Sequence, residues 1–158
     1  MAIPPIKPAS EGHHRSYQRD PLPRRLTWHD GSATSAAARK AALAFLDEAE
    51  SAGWARPPDS ATETAVQLVV SELVTNARQH APGPCGLHLE LGLDRFAADR
   101  RLARITVWDT SPHPPAPQPA DPQRVGGQGL RVVQAVSRSV TVDAHPAGKQ
   151  VRAEIELP

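Results

Sequence analysis

In "SELVTNARQHA" (residues 71–81) a glutamate, an asparagine and a histidine recur every fourth position, as Glu72, Asn76 and His80. Side chains so spaced on a helix stack along one stripe, so these three form a polar column. A carboxylate or carboxamide taken out of water without partners costs several kcal/mol, about 2–7 for an amide in the harshest reference. Two further stretches offer complementary chemistry. "VWDTS" ends a strand-like run at Asp109, where a carboxylate can accept a hydrogen bond from a ligand amino group. "GGQG" (126–129) opens a helical pattern. Glycines there let backbone N–H groups approach an anion, at a helix end whose field favours negative charge.

Each feature has an ordinary explanation when taken singly. Glu72 and Asn76 could cap neighbouring loops, and His80 could complement a helix C-terminal dipole. An aspartate commonly starts a turn. The proline-rich segment 112–126, between Asp109 and the glycines, is longer than a connection requires and suited to covering a ligand. Together, in this order, they form a constellation that points to a ligand.

The elements that must position these groups follow from periodicity. At about 100° per residue with Glu72 at zero, Ala65, Leu68 and Val69 fall within about 60°. Leu73, Val66, Ala77 and Val70 continue the apolar arc. Asn76 lies about 40° and His80 about 80° round, which predicts the polar column on the inward side. Gln67, Ser71 and Arg78 are expected to face solvent. "SATE" (60–63) has the capping-box form, with Ser60 as cap and Glu63 three residues on, and opens a helix to about Ala81.

Upstream, "RRLTWHD" (24–30) is expected to be a first strand on a sheet edge. Ser32 or Ser35 then caps a helix through about Ser51, with Ala37, Ala41, Leu43, Ala44, Phe45 and Leu46 on its apolar side. Downstream, "LHLELGL" (87–93) and "ARITVWD" (103–109) alternate as strands. "VGGQGLRVVQAVS" (125–137) reads as a glycine loop entering a helix. "SVTVDA" and "QVRAEIEL" form a closing hairpin across "HPAGK". Helices interleaved with such strands predict an α+β fold: a two-layer α/β sandwich, its mixed, mostly antiparallel sheet covered on one face by helices.

Composition narrows the class further. The chain has 158 residues, a length expected of one domain. Five of its 17 prolines precede Arg24, and residues 1–24 lack apolar periodicity, so a disordered arm is expected there. His13, His14 and Arg15 lie in that arm without the regular ligand spacing of a metal site. With 18 basic and 17 acidic residues, net charge gives no argument for nucleic acid or a membrane as direct partner. Cys85 is the one cysteine, so no intrachain disulfide can form. The N-terminus lacks a signal-peptide apolar core and no run approaches membrane-spanning length, so a cytoplasmic location is expected.

The succession "ELVTN", "WDTSP", "GGQGL" resembles the GHKL superfamily of ATPases, which includes histidine kinases and gyrase. It is most similar to the small stand-alone branch of anti-sigma-factor serine/threonine kinases, over roughly residue 25 to the C-terminus. The resemblance implies a histidine-kinase-like ATPase domain over 25–158 with ATP and Mg²⁺ as cofactors. Glu72 would be the catalytic general base, taking a proton from a serine hydroxyl or water. Asn76 would bind Mg²⁺, which prefers oxygen ligands. Asp109 would read the adenine amino group. The backbone of Gly127, Gln128 and Gly129 would hold phosphates, with His80, Ser111 and Leu130 also lining the nucleotide site and 112–126 forming an ATP lid. The implied partners are a sigma factor and an antagonist protein that is phosphorylated, with a possible homodimer.

This sequence also departs from the family pattern. Gln79 stands where the family often carries a basic residue aimed at phosphate. Ser111 and His113 occupy the glycine positions of the usual Asp-x-Gly-x-Gly. Gln150 takes the place of a threonine often found near the adenine, while Lys149, in the hairpin turn, could reach a phosphate but is expected to be solvated. These departures motivate an alternative: a non-catalytic nucleotide-binding regulator that acts through protein contacts.

Overall fold

A computed structural model describes residues 23–29, 31–81, 83–111 and 128–158. The expected arm up to residue 22, the lid 112–126 and Gly127 lie outside the described residues. The elements run β1 (Arg24–Trp28), α1 (Ser35–Ser51), α2 (Ser60–His80), β2 (Cys85–Leu93), β3 (Arg101–Asp109), α3 (Gly129–Val136), β4 (Ser139–His145) and β5 (Gly148–Leu157). Type and order match the sequence expectation throughout. Arg24, expected at the end of the arm, is the first residue of β1 and ion-pairs with Glu48 of α1.

The strands form one sheet in the order β1-β2-β3-β5-β4, antiparallel at every described pairing rather than mixed. The expected edge strand β1 is indeed an edge. Because side chains alternate faces along a strand, the register sorts the sheet into two surfaces. Leu87, Val107 and Val151 align in one row, and Leu89, Ile105 and Ala153 in the next. These rows face the helices and form the core with Phe45, Leu46, Val66, Val69, Val70, Leu73, Val74 and Val133. The intervening rows, such as His88–Thr106–Arg152 and Glu90–Arg104–Glu154, carry polar side chains on the other surface.

Both long helices are capped by a residue next to an expected serine, Thr34 before Ser35 and Asp59 before Ser60. Thr34 caps α1, its hydroxyl accepting from the Ala37 amide at 3.1 Å, so neither Ser32 nor Ser35 is the cap. Asp59 caps α2, accepting from the Thr62 amide at 2.7 Å. Ser60 is thus the first helical residue and forms no capping box with Glu63. A carboxylate one position upstream accepts the same orphan amides and adds favourable charge at the helix N-terminus.

The buried side of α2 is also rotated from the expectation. Its buried residues are Val66, Val69, Val70, Leu73, Val74 and Ala77, an arc centred about 130° from Glu72. Glu72 and Asn76 therefore stand half-buried at the margin of the core, not within it. The side expected to face solvent is partly covered by α1: Arg39 donates to Ser71 Oγ at 3.0 Å, and the Ser35 and Thr75 hydroxyls lie 3.0 Å apart.

Candidate functional site

At one end of the site α2 meets α3. Glu72 and Asn76 are successive turns on one side of α2, separated by about 6 Å along its axis. The Glu72 carboxylate lies directly over Gly129, the first residue of α3. A Cβ placed on Gly129 would come within 3.0 Å of Glu72 Oε2 and 3.2 Å of its Cδ. Only glycine lets the two helices bring the carboxylate this close to the start of α3. Gln128 supplies no side-chain cap there. Among the described residues the first amides of α3 thus lack a side-chain cap, at a helix end that attracts negative charge.

At the other end lies a row of side chains on the helix-covered surface of the sheet. Trp28, Cys85, Asp109, Lys149 and Ala144 stand opposite one another across all five strands. Residues 81–84 alone connect α2 to Cys85, so this row lies close to the C-terminus of α2. The site accordingly runs along the C-terminal half of α2, from Glu72 and Gly129 to the strand ends.

Asp109 ends β3 and is only 6% exposed. Its Oδ1 accepts the Ser111 amide at 2.8 Å, the turn-starting contact that aspartates commonly make. Its Oδ2 lies 2.8 Å from Lys149 Nζ, and both side chains are almost fully buried. Gly148 makes this pairing possible. Its φ of +150 is one that L side chains rarely adopt, and a Cβ there would overlap the Asp109 carbonyl oxygen. The hairpin therefore starts flush against the end of β3. Burial raises the Cys85 thiol above its ordinary range, and the Asp109 charge adds to the rise.

Several site expectations are corrected here. Lys149 is 5% exposed, not solvated. Gln150 pairs with Trp108 and is exposed on the opposite surface of the sheet, so alternation removes it from Asp109. His80 and Gln79 are exposed, because the last turn of α2 extends past the core. Ser111 is buried beside Asp109, and Leu130 packs half-buried at the start of α3. Gly127 and His113 lie outside the described residues. The buried pairing of Lys149 with Asp109 is what sequence reasoning missed, and the signal was the hairpin register, which counts Lys149 onto the Asp109 face.

A family model for the histidine kinase-like ATPase domain matches residues 32–155. No curated protein matches the chain. Among solved structures, the RsbU and RsbW domains of a Mycobacterium tuberculosis protein match with a TM-score of 0.52 at 18% identity. That match covers 86% of this chain and 32% of the other, so the chain spans about a third of that structure's length. The histidine kinase domain of a blue-light activated histidine kinase from Erythrobacter litoralis gives a TM-score of 0.43 at 26% identity. It covers 61% of this chain and 45% of that one.

Proposed function

The chain belongs to the histidine kinase-like ATPase family, and from that premise we propose that it binds ATP with Mg²⁺ along the C-terminal half of α2. We further propose that it transfers the γ-phosphoryl group to a serine or threonine of an antagonist protein, and so regulates transcription through a sigma factor. The observation that carries the reading is the Glu72 carboxylate lying over Gly129, which joins a proton acceptor to a helix N-terminus that Gln128 leaves without a side-chain cap. The resemblance of "SELVTNARQHA" and "GGQGLRVV" to stand-alone anti-sigma-factor kinases supports the choice of substrate class.

The residues fit such a ligand. No group of three or more His, Cys, Asp or Glu converges to hold a metal among the described residues. A Mg²⁺ here would take one oxygen from Asn76 and the rest from phosphates and water, as this ion commonly does. Bound there, it would neutralise charge on the phosphates. Glu72, held by the α2–α3 contact, would accept the proton of the attacking hydroxyl. Phosphoryl transfer needs chiefly positioning and charge stabilisation, so a short set of side chains suffices. Asp109 and Ser111 would mark the base end.

Calorimetric titration of ATP with Mg²⁺ into the protein, repeated with Asn76→Ala, tests the binding half. Binding that collapses in the variant is expected, and no binding to the intact protein overturns the reading. Transfer is tested with γ-labelled ATP and a soluble extract of the source cells. The expected result is a labelled protein band that Glu72→Gln abolishes. ATP binding with no such band selects the non-catalytic regulator instead.

A further inference from the structure

Lys149 is the only basic side chain in the buried class among the described residues. Lysines ordinarily carry the ammonium out to water along a flexible stem. Here the stem ends inside, against a carboxylate that is itself 4% exposed at the side chain. Burying an ammonium costs several kcal/mol unless it is paired and its donors are satisfied. It carries three N–H donors, and Asp109 Oδ2 is its one ion-pair partner among the described residues.

The consequence concerns recognition of the base, and it rests on the nucleotide-binding reading above. A lone carboxylate can only accept, and so reads one N–H of a base. A carboxylate and an ammonium 2.8 Å apart present an acceptor beside a donor. An aminopurine offers the matching edge, an exocyclic amino group next to a ring nitrogen that accepts. We propose that Lys149 is a specificity-determining residue of the nucleotide site. Its ammonium stays paired with Asp109 and donates to the ring nitrogen beside the amino group that Asp109 accepts from. Gln150 cannot take this part, since it lies on the opposite surface of the sheet.

Retention of the pair on binding follows from burial. Withdrawing the ammonium would strand a buried carboxylate, and breaking a buried ion pair from one side is strongly unfavourable. A single neutral amino group does not compensate a full charge. The base therefore adds to the pair and does not replace it.

The test compares ATP with 1-deaza-ATP, in which that ring nitrogen is a C–H, by titration with Mg²⁺ into the folded protein and into Lys149→Met. For the unaltered protein we expect 1-deaza-ATP to bind at least tenfold more weakly than ATP. In Lys149→Met this preference disappears, because ATP weakens to the level of the analogue. A residue with a merely structural role would weaken both ligands alike and leave the ratio intact. Should Lys149→Met fail to fold, the double variant Asp109→Asn/Lys149→Met strands no charge and should show the same lost preference. Equal binding of the two ligands to the unaltered protein, or an unchanged preference in the variant, overturns the role of Lys149 and leaves ATP binding standing. Binding of neither ligand overturns both.

Discussion

Replacing Gly148 by alanine separates two penalties that the structure allows to be weighed. The first is conformational: φ at Gly148 is +150, and holding an L residue in such a sparsely populated region costs about 1–3 kcal/mol. The second is steric: the new Cβ would come within 3.0 Å of the Asp109 carbonyl oxygen and 3.1 Å from Thr110 Cα. Both obstacles are backbone, which cannot swing aside, so the end of β3 must move. Overpacking of this kind costs about 1–3 kcal/mol. The sum is about 2–6 kcal/mol, and a domain of this size loses about 2–4 °C of Tm per kcal/mol, so a fall of about 4–24 °C is expected. Gly31→Ala is the internal control. Its φ is +72, but a Cβ there meets nothing within 4 Å, so it carries the conformational penalty alone. Thermal unfolding followed by circular dichroism reads both. If Gly148→Ala melts at or above Gly31→Ala, the flush start of the hairpin against β3 is wrong.

Gly129→Ala should leave the fold intact, because the atom its Cβ meets is the far end of a flexible glutamate. The displaced carboxylate should lower phosphoryl transfer by about 10²-fold, in line with loss of a positioned base, in the labelling assay. His88 tests a pH effect. Burial holds its imidazole below the ordinary value, with Arg25 and Arg152 adding to the fall and Glu90 opposing it. The unfolded chain titrates this group near pH 6.5 and so binds more protons than the folded one just below that pH, and stability should fall as pH drops through this window. Urea midpoints of His88→Gln should decline less than those of the unaltered protein between about pH 7.5 and 5.5. Thr34→Ala removes the α1 cap and should cost about 1 kcal/mol, read as about 2–4 °C in Tm.

How much of this was legible in the sequence depended on how local the cause was. Element types and order come from periodicities within one segment, and all eight elements were readable. Caps were harder, since Thr34 and Asp59 compete with neighbouring serines for the same amides and one residue decides the winner. The angle of Glu72 and Asn76 on α2 was right, but the centre of the buried arc depended on where α1 and the sheet packed, which no helical wheel contains. Strand order was not legible, because β5 inserts between β3 and β4 through contacts far apart in sequence. The role of Lys149 required that pairing. Only once β5 lies beside β3, with Asp109 opposite residue 149, does strand alternation decide between Lys149 and Gln150. Alignment on glycine and threonine positions alone points to Gln150, which the register puts on the other surface.

The row across the strand ends also equips the molecule with its own gauge. Cys85 is the chain's one thiol, it is 1% exposed, and it stands opposite Asp109. The nucleophilic form of a cysteine is its thiolate, which burial and the neighbouring carboxylate both oppose here. A disulfide reagent therefore reacts only in the fraction of time when the strand ends part from the helices. Its rate, referred to that of an open thiol, measures the free energy of that local opening, as amide exchange does elsewhere. A ligand held by Asp109 and Lys149 would slow the clock, and one bound anywhere else would leave it running.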